Sequence, residues 1–582
     1  LRGCGRVGRR HGGCDRRART VAAVRARGST SSLDRRIGLL FAGTLVLLAI
    51  AAARTAYLGV VKGSSLRHAA TAQHVTEAKV PAPRGTISDR KGVELAVSEP
   101  ADDVAADPLL IKNPLEAARK ISPPLGQPVD HVVRKLSRRD TGFVYLARQL
   151  PSTRSRALQR LRLEGLTFIP ASRRTYPQRS LAAQLLGTVG TDGHGLAGIE
   201  YAEDRRVGGR DGRRRLVKDP LGRPISLQDQ RSAKAGADVQ LTIDSAIQNQ
   251  AEQALDQVGR KFSPRGAMAL VMDPRTGELL AMANWPRVDA NRWAEAADYA
   301  RENRAVGAAY EPGSTFKSFT VAGALTDGKV TPETSFDLAP KIQVADRTIG
   351  EAHERGYETM TTGQILAQSS NVGAVMIAER EGSARFDQWV RAFGFGSPTG
   401  IGLPGEASGI VPRLQDYSGS SMGNLPIGQG LAVTPLQMAS AYAAIANGGI
   451  LRSPRILMRA SGKAVRAPQG RRVISPQVAA SLRQMLQGVL APGGTASEVS
   501  IPGYQLAGKT GTANKPDPIT GGYSNTKFVA SFVGFAPARD PKLLVAVMVD
   551  EPQGEYLGGA VAAPAFQKIA SFALPYLGIA PD

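Results

Sequence analysis

Three short strings in the second half of the chain hold residue types that do nucleophilic chemistry together: Ser314-Thr315-Phe316-Lys317, Ser369-Ser370-Asn371 and Lys509-Thr510-Gly511. A serine hydroxyl is a poor nucleophile at neutral pH and needs a base within hydrogen-bond reach. A lysine three residues later on a helix lies on the same face, one turn away, so Ser314 and Lys317 can touch. Pro312 and Gly313 break the preceding chain, and Phe316, Phe319, Val321, Ala322 and Leu325 read as a buried helix that Ser314 opens. At that end unpaired N–H groups and the macrodipole favour an anionic oxygen, and a buried lysine can be driven neutral and accept a proton. One S-x-x-K string is common by chance; the two further strings, in this order, give it weight.

A rival motif overlaps the third string. Gly503-Tyr504-Gln505-Leu506-Ala507-Gly508-Lys509-Thr510 fits G-x-x-x-x-G-K-[ST], a phosphate-cradling loop. Such a loop needs a helix directly after the Lys-Thr, whereas Gly511-Thr512-Ala513-Asn514-Lys515-Pro516 reads as strand and then loop. On an edge strand, Lys-Thr-Gly suits an acyl-peptide ligand that pairs with the backbone while Lys509 holds a carboxylate.

The elements that must position these strings follow from patterning. After a boundary near 236, Val239, Leu241 and Ile243 alternate as a strand, and Asp244 is placed to cap a helix with Ile247, Ala251, Leu255 and Val258 on one face. Strands are expected at Ala267–Met272 and Glu278–Ala283, as a hairpin around Asp273–Gly277, and at Phe528–Phe535 and Leu543–Val549. Thr434 and Pro435 start a helix of small apolar residues that stops at Gly448 and Gly449. Between 62 and 235 short strands alternate with polar, Arg-rich helices such as Ala157–Leu163, and no chemistry is visible. Glu200 there reads as half of a structural ion pair. His353 is the one histidine after 236, so a Ser-His-Asp triad has little to draw on, and it reads as structural.

A chain of 582 residues has room for several domains, and 42% hydrophobic with 21% charged residues is ordinary for a globular protein. From Ile37 to Ala53 runs an uncharged apolar stretch, continued past Arg54 to Val61, long enough to span a bilayer if Arg54 snorkels to the interface. Residues 1–36 hold eleven arginines against Asp15 and Asp34, which keeps that tail cytoplasmic and sends the remainder out. A cleavable signal ending at Ala51-Ala52-Ala53 is the competing reading, disfavoured by the long basic region. The tail supplies about nine of the formal charge of +24. The other basic residues are scattered without a nucleic-acid motif, so anionic lipid headgroups and wall polymers are the expected neighbours, not nucleic acid. Cys4 and Cys14 both lie in the tail, which excludes disulfides, thiol catalysis and cysteine-ligated metal from the rest. No methionine precedes Met268, so a non-ATG start, or a native start downstream of Leu1, is expected.

The wider strings Tyr310-Glu311-Pro312-Gly313-Ser314-Thr315-Phe316-Lys317, Ser369-Ser370-Asn371-Val372-Gly373 and Gly508-Lys509-Thr510-Gly511-Thr512-Ala513 resemble those of class B penicillin-binding proteins, the peptidoglycan D,D-transpeptidases. So do Gly428-Gln429-Gly430 with Val433-Thr434-Pro435-Leu436-Gln437-Met438, and, far upstream, Ala82-Pro83-Arg84-Gly85-Thr86-Ile87-Ser88-Asp89-Arg90 and Gly198-Ile199-Glu200. The resemblance covers almost the whole chain. It implies an α+β penicillin-binding transpeptidase fold, an antiparallel sheet flanked by helices plus an all-helical part, preceded by a transmembrane helix and an extended pedestal. The layout is a tail (1–36), an anchor (37–61), a dimerisation or pedestal domain (62–235) and a transpeptidase domain (236–577).

In that family's chemistry Ser314 would attack the penultimate D-Ala carbonyl of a stem peptide with neutral Lys317 as base. Ser369 would relay a proton to the leaving amine, and Asn371 would hold the substrate amide. Lys509 and Thr510 would bind the terminal carboxylate beside Gly511, and N–H groups of Ser314 and Thr512 would form the oxyanion hole. No metal or cofactor is implied. The implied partners are stem peptides, the lipid-linked precursor, β-lactams, and a membrane glycosyltransferase of the FtsW type, because no glycosyltransferase pattern occurs in the pedestal. Ser-Ser-Asn-Val-Gly and Gly-Gln-Gly-Leu with Val-Thr-Pro-Leu-Gln resemble the division, FtsI-type branch more than the elongation branch. A serine β-lactamase shares the motifs but needs a deacylating glutamate, and no class A motif for one is found. A penicillin-sensing protein would need a cytoplasmic signalling domain, which the short tail does not provide.

Overall fold

The computed structural model describes residues 32–65, 75–218, 224–517 and 521–582. Cys4, Cys14 and most of the Arg-rich tail lie outside the described residues. The apolar run forms the helix Ser32–Ala56, extended by a π-helical turn over Tyr57–Val61. Thr44 and Thr55 donate their hydroxyls back to the carbonyls of Leu40 and Ala51, at 2.8 and 2.7 Å, so both groups are satisfied within the helix. By length and composition the segment Arg35–Val61 can cross a membrane.

In the pedestal, the long strand Glu94–Ala106 is flanked by antiparallel Val144–Pro151 and Leu166–Thr175. Helices Pro114–Leu125 and Val129–Leu136 close a small core of Val104, Ile121, Val132, Leu136 and Leu146. The helix expected at Ala157–Leu163 instead spans Ser152–Arg160 and ends before Arg162, whose φ of 48° is left-handed. It buries only Ser155 and Leu158, too few apolar positions to fix its bounds from periodicity.

A charged cluster fastens this part. Arg84 donates from Nε and Nη2 to Glu200 Oε2 (3.0 and 2.8 Å) and from Nη1 to Asp204, while Arg174 Nε reaches Glu200 Oε1 at 2.6 Å. Glu200 is fully buried, so the structural reading of that residue holds. A continuous sheet then runs across residue 236: Ile87–Ser88 lies parallel to Val239–Leu241, which pairs antiparallel with Leu457–Ala460.

The second half of the chain is built on a five-stranded antiparallel sheet in the order Leu279–Trp285, Gly266–Met272, Leu543–Asp550, Tyr523–Ala536, Ala507–Pro516. Gly266–Met272 is buried along its whole length, because both faces are covered. Strand alternation puts Phe532 and Gly534 on one face, where Phe532 meets Phe566 of the C-terminal helix Ala563–Tyr576 at 4.8 Å between ring centroids. Lys509, Gly511 and Ala513 take the other face, toward the helical part. The expected strands differ by a residue or so at their ends, except that Tyr523–Ala536 starts five residues early, where exposed polar residues carry no alternating pattern. Asp244 caps the helix Ser245–Phe262 as expected, its side chain accepting from the N–H of Ala246 and Ile247. Thr434 and Gln437 form a capping box at the start of Pro435–Ala446.

The buried cluster around Glu200 generates a stability prediction. Removing one member of a buried pair leaves uncompensated charge, here the Arg174 guanidinium and the Nε/Nη2 edge of Arg84, whose Nη1 keeps Asp204, and costs about 3–5 kcal/mol. Glu200→Ala should therefore lower the denaturant midpoint of the pedestal by that equivalent, and a loss below about 1 kcal/mol in equilibrium unfolding of the solubilised chain would contradict this role.

Candidate active site

The surroundings of Ser314 are fixed from below by an aromatic cluster. Phe316 packs on Phe319 and Phe395 (5.6 and 5.1 Å between centroids), and Phe319 on Phe393 and Tyr442 (4.9 and 5.2 Å). The α-helix proper is Lys317–Thr326, and Ser314 lies in the 3-10 turn Gly313–Phe316 that feeds it. With three residues per turn, Ser314 and Lys317 are nearly eclipsed there. Tyr442 donates its hydroxyl to Thr315 O (2.7 Å), and Thr320 donates to Pro426 O (2.8 Å), which pins the first turns. The Gly428–Val433 string clamps the approach: Gly313 N–H donates to Gly428 O at 3.0 Å, and Tyr310 and Val433 exchange backbone hydrogen bonds.

The Ala507–Pro516 strand is the sheet edge, and its Lys-Thr-Gly is followed by more strand instead of a helix, so the phosphate-loop reading fails on geometry. The edge strand presses directly on the nucleophile turn. A Cβ on Gly511 would stand 2.8 Å from Pro312 O and 2.4 Å from Ser531 Oγ, and one on Gly313, whose φ is 55°, 2.8 Å from Thr512 O. Only glycines permit that approach.

The three strings meet around one hydroxyl. Ser369 Oγ receives Lys509 Nζ at 2.9 Å and lies 3.3 Å from Lys317 Nζ. Lys317 Nζ also donates to Ser369 O and Asn371 Oδ1, each at 2.6 Å. Asn371 Nδ2 donates to Gly350 O (2.8 Å), leaving its amide one N–H and one lone pair for a ligand. Lys509 Nζ lies 3.2 Å from Thr510 O, and Thr510 Oγ1 meets Thr495 Oγ1 at 2.7 Å. Thr512 Oγ1 accepts from Gly558 N–H at 3.0 Å. Ser314 Oγ has no hydrogen-bond partner among the described residues, so the expected touch with Lys317 is not a hydrogen bond here; the amine is held on the Ser369 and Asn371 side.

Both lysines are buried almost completely, at 1% and 0% exposure. Burial pulls Lys317 down from the ordinary lysine range to about 7, with Glu351 opposing and Arg355 assisting. Burial, then the neighbouring Lys317, holds Lys509 well below its usual value. Ser369 itself sits at a φ of 63°, a left-handed conformation costing about 1–3 kcal/mol that the surrounding hydrogen bonds maintain.

Glu351 was not among the residues that sequence reasoning singled out. Its carboxylate caps the helix Asn371–Glu381, accepting from Ser370 Oγ and from the N–H groups of Asn371 (2.7 Å) and Val372 (3.3 Å). It stands nineteen residues before Ser370 in no motif and arrives by the fold-back of the hairpin Lys341–Gly350, so local spacing carries no signal for it. His353, expected to be structural, is exposed on the loop that follows.

With this geometry in view, the chain can be compared with known proteins. Residues 267–571 match the family model of the penicillin-binding protein transpeptidase domain, and residues 79–241 match the penicillin-binding protein dimerisation domain. The penicillin-binding protein PbpB of Mycolicibacterium smegmatis is 35% identical over 91% of this chain and 88% of its own length. The peptidoglycan D,D-transpeptidase FtsI of Escherichia coli is 32% identical over 97% and 96%. A crystal structure of penicillin-binding protein 3 from Mycobacterium tuberculosis in complex with aztreonam superposes with a TM-score of 0.69 at 30% identity, covering 87% of this chain and 98% of that one. The buried two-lysine site on a sheet edge, the two matched domains and these relatives agree: the chain belongs to the class B penicillin-binding proteins, the FtsI-like peptidoglycan D,D-transpeptidases.

Proposed function

We propose that this D,D-transpeptidase works as a single-pass membrane protein in septal wall synthesis, cross-linking stem peptides through an acyl-enzyme on Ser314. Its parts would be the cytoplasmic tail 1–36, the anchor 37–61, the pedestal 62–235 and the extracytoplasmic catalytic domain 236–577. The glycan strands would come from a membrane glycosyltransferase of the FtsW type acting on lipid-linked precursor. The similarity to FtsI along 97% of the chain and the helix Arg35–Val61 support this reading.

The observation that carries the mechanism is the pair of buried amines on one serine hydroxyl. The carbonyl oxygens Ser369 O and Asn371 Oδ1 can only accept, so they use two N–H groups of Lys317. A neutral amine has two hydrogens and one lone pair. That lone pair is what remains for the proton of Ser314 as its Oγ attacks the D-Ala carbonyl, and N–H groups of Ser314 and Thr512 stabilise the oxyanion. The C–N bond then breaks while Lys317 returns the proton through Ser369 Oγ to the leaving D-Ala amine. Lys509, protonated, holds the substrate carboxylate with Thr510, and Gly511 leaves the edge strand open to the substrate backbone. The acyl-enzyme passes to an amine of a second stem peptide, with Ser314 Oγ recovering a proton. Penicillin, which presents a carboxylate and a strained amide, takes the first half of this path and stops.

Two predictions follow from these assignments. A labelled penicillin should mark Ser314 in a tryptic digest analysed by mass spectrometry, and Lys317→Ala should reduce that labelling below detection because the base is gone while the hydroxyl remains; label elsewhere, or wild-type labelling in the variant, would contradict them. Lys509→Ala removes a charge-assisted contact worth roughly 1.5–3 kcal/mol and should slow acylation about 10- to 100-fold in stopped-flow measurements, where an unchanged rate would place the carboxylate elsewhere.

A further inference from the structure

A cavity of about 520 Å³ lies beneath the segment that leads into the nucleophile turn, lined among others by Arg304, Tyr310, Glu311, Asn514, Lys515 and Asp550. It adjoins the site through both of its walls. Glu311 stands three residues before Ser314, hence within about 11 Å of it along the backbone, and Asn514 stands two after Thr512.

Two side chains in its lining hold unused polar atoms. Arg304 is 5% exposed, and its guanidinium lies against Gly266, where a Cβ would be 2.7 Å from Nε. Nη2 is taken up by Tyr299 O, but Nη1 is buried with no hydrogen-bond partner. Glu311 accepts from Gly430 N–H and Tyr523 Oη on Oε1, both at 3.1 Å, and its Oε2 is likewise buried without a partner. The two are not paired with each other. The other charges there are already committed: Lys515 holds Asp550 at 2.8 Å and Glu551 at 2.7 Å, the largely exposed Arg265 lies 3.6 Å from Glu551, and Glu302, two-thirds exposed, is 3.8 Å from Arg304. Burial pushes the Glu311 carboxyl up and the Arg304 guanidinium down, a penalty that bound counter-groups would relieve.

A cavity with one free cationic donor and one free carboxylate oxygen fits a small dipolar group. We propose that it receives the amino-acid end of a stem peptide, with a carboxylate on Arg304 Nη1 and an amine, as N–H donor, on Glu311 Oε2. This rests on the transpeptidase reading above, and the end bound could belong to the acceptor strand or to a side chain of the donor strand.

Two arms on the solubilised full chain separate these sources. In the first, the acyl-enzyme is partitioned between water and acceptor peptides that present the attacking amine and, apart from it, an amino-acid end that is either free or capped on both its amine and its carboxylate. In the second, acylation is timed with donor peptides ending in D-Ala-D-Ala whose preceding side chain ends in a free amine and carboxylate, or has both capped. A preference of at least about tenfold for the dipolar form in the first arm assigns the cavity to the acceptor, and in the second to the donor. That preference should fall to within about twofold in Arg304→Gln and in Glu311→Gln; the latter retains an acceptor for Gly430 and Tyr523. Because each preference is a ratio within one protein, loss of active enzyme cancels. Absence of preference in both arms with the wild type, or a preference that survives Glu311→Gln, overturns the inference. Failure of penicillin to acylate Ser314 would overturn the reading beneath it, and this inference with it.

Discussion

The constraint on which the rest of the site depends is that two amines share one hydroxyl out of reach of water. Lys317 and Lys509 both lie within 3.3 Å of Ser369 Oγ, so their nitrogens are no more than about 6 Å apart. At an effective dielectric of about 20, two unit charges at that separation repel by about 3 kcal/mol, roughly two pKa units, before desolvation is counted. Such a site holds one positive charge readily and two at high cost. In the proposed mechanism an incoming carboxylate would draw the charge to Lys509 and leave Lys317 as the neutral amine, so that the ligand to be attacked would itself prepare the base.

Much of the fold can be understood as holding that arrangement. Lys317 is brought by a turn pinned by Tyr442 and packed on phenylalanines, Lys509 by the edge of a sheet whose neighbouring strands are buried on both faces, and Ser369 by a strained residue just ahead of a helix. The turn and the strand can lie so close only because positions 313 and 511 lack side chains. Glu351 sets the third wall and acts against desolvation by raising the Lys317 pKa, so the base is kept near 7 instead of being carried lower. Burial and a nearby carboxylate therefore pull one amine in opposite directions.

Part of the site was legible from backbone geometry, with three residues setting Lys317 one turn after Ser314, strand patterning at Lys509 and a threonine and proline for a capped helix, whereas Ser369 and Asn371 were singled out only by the resemblance of their motif. The phosphate-loop pattern over Gly503–Thr510 matched every letter and still failed, since its chemistry depends on the element that follows. What the sequence withheld was of a different kind. Glu351 reaches Ser370 by a hairpin fold-back, the free edges of Arg304 and Glu311 are defined by what does not contact them, and the Ser152–Arg160 helix buries too little for its pattern to be visible. Each is a property of tertiary neighbours and leaves no local periodicity.

The claim at the centre of this account is that Lys317 serves as a neutral base because burial holds its pKa near 7. The direct test is the pH dependence of the second-order rate of Ser314 acylation by penicillin, followed by stopped flow from pH 5 to 10. Since the base acts only when deprotonated, the rate should rise tenfold per pH unit at low pH and level off through an apparent pKa near 7, belonging to the coupled pair, in place of the ordinary lysine value of 10.5. A rate still climbing through pH 9, or one independent of pH between 5 and 8, would contradict it.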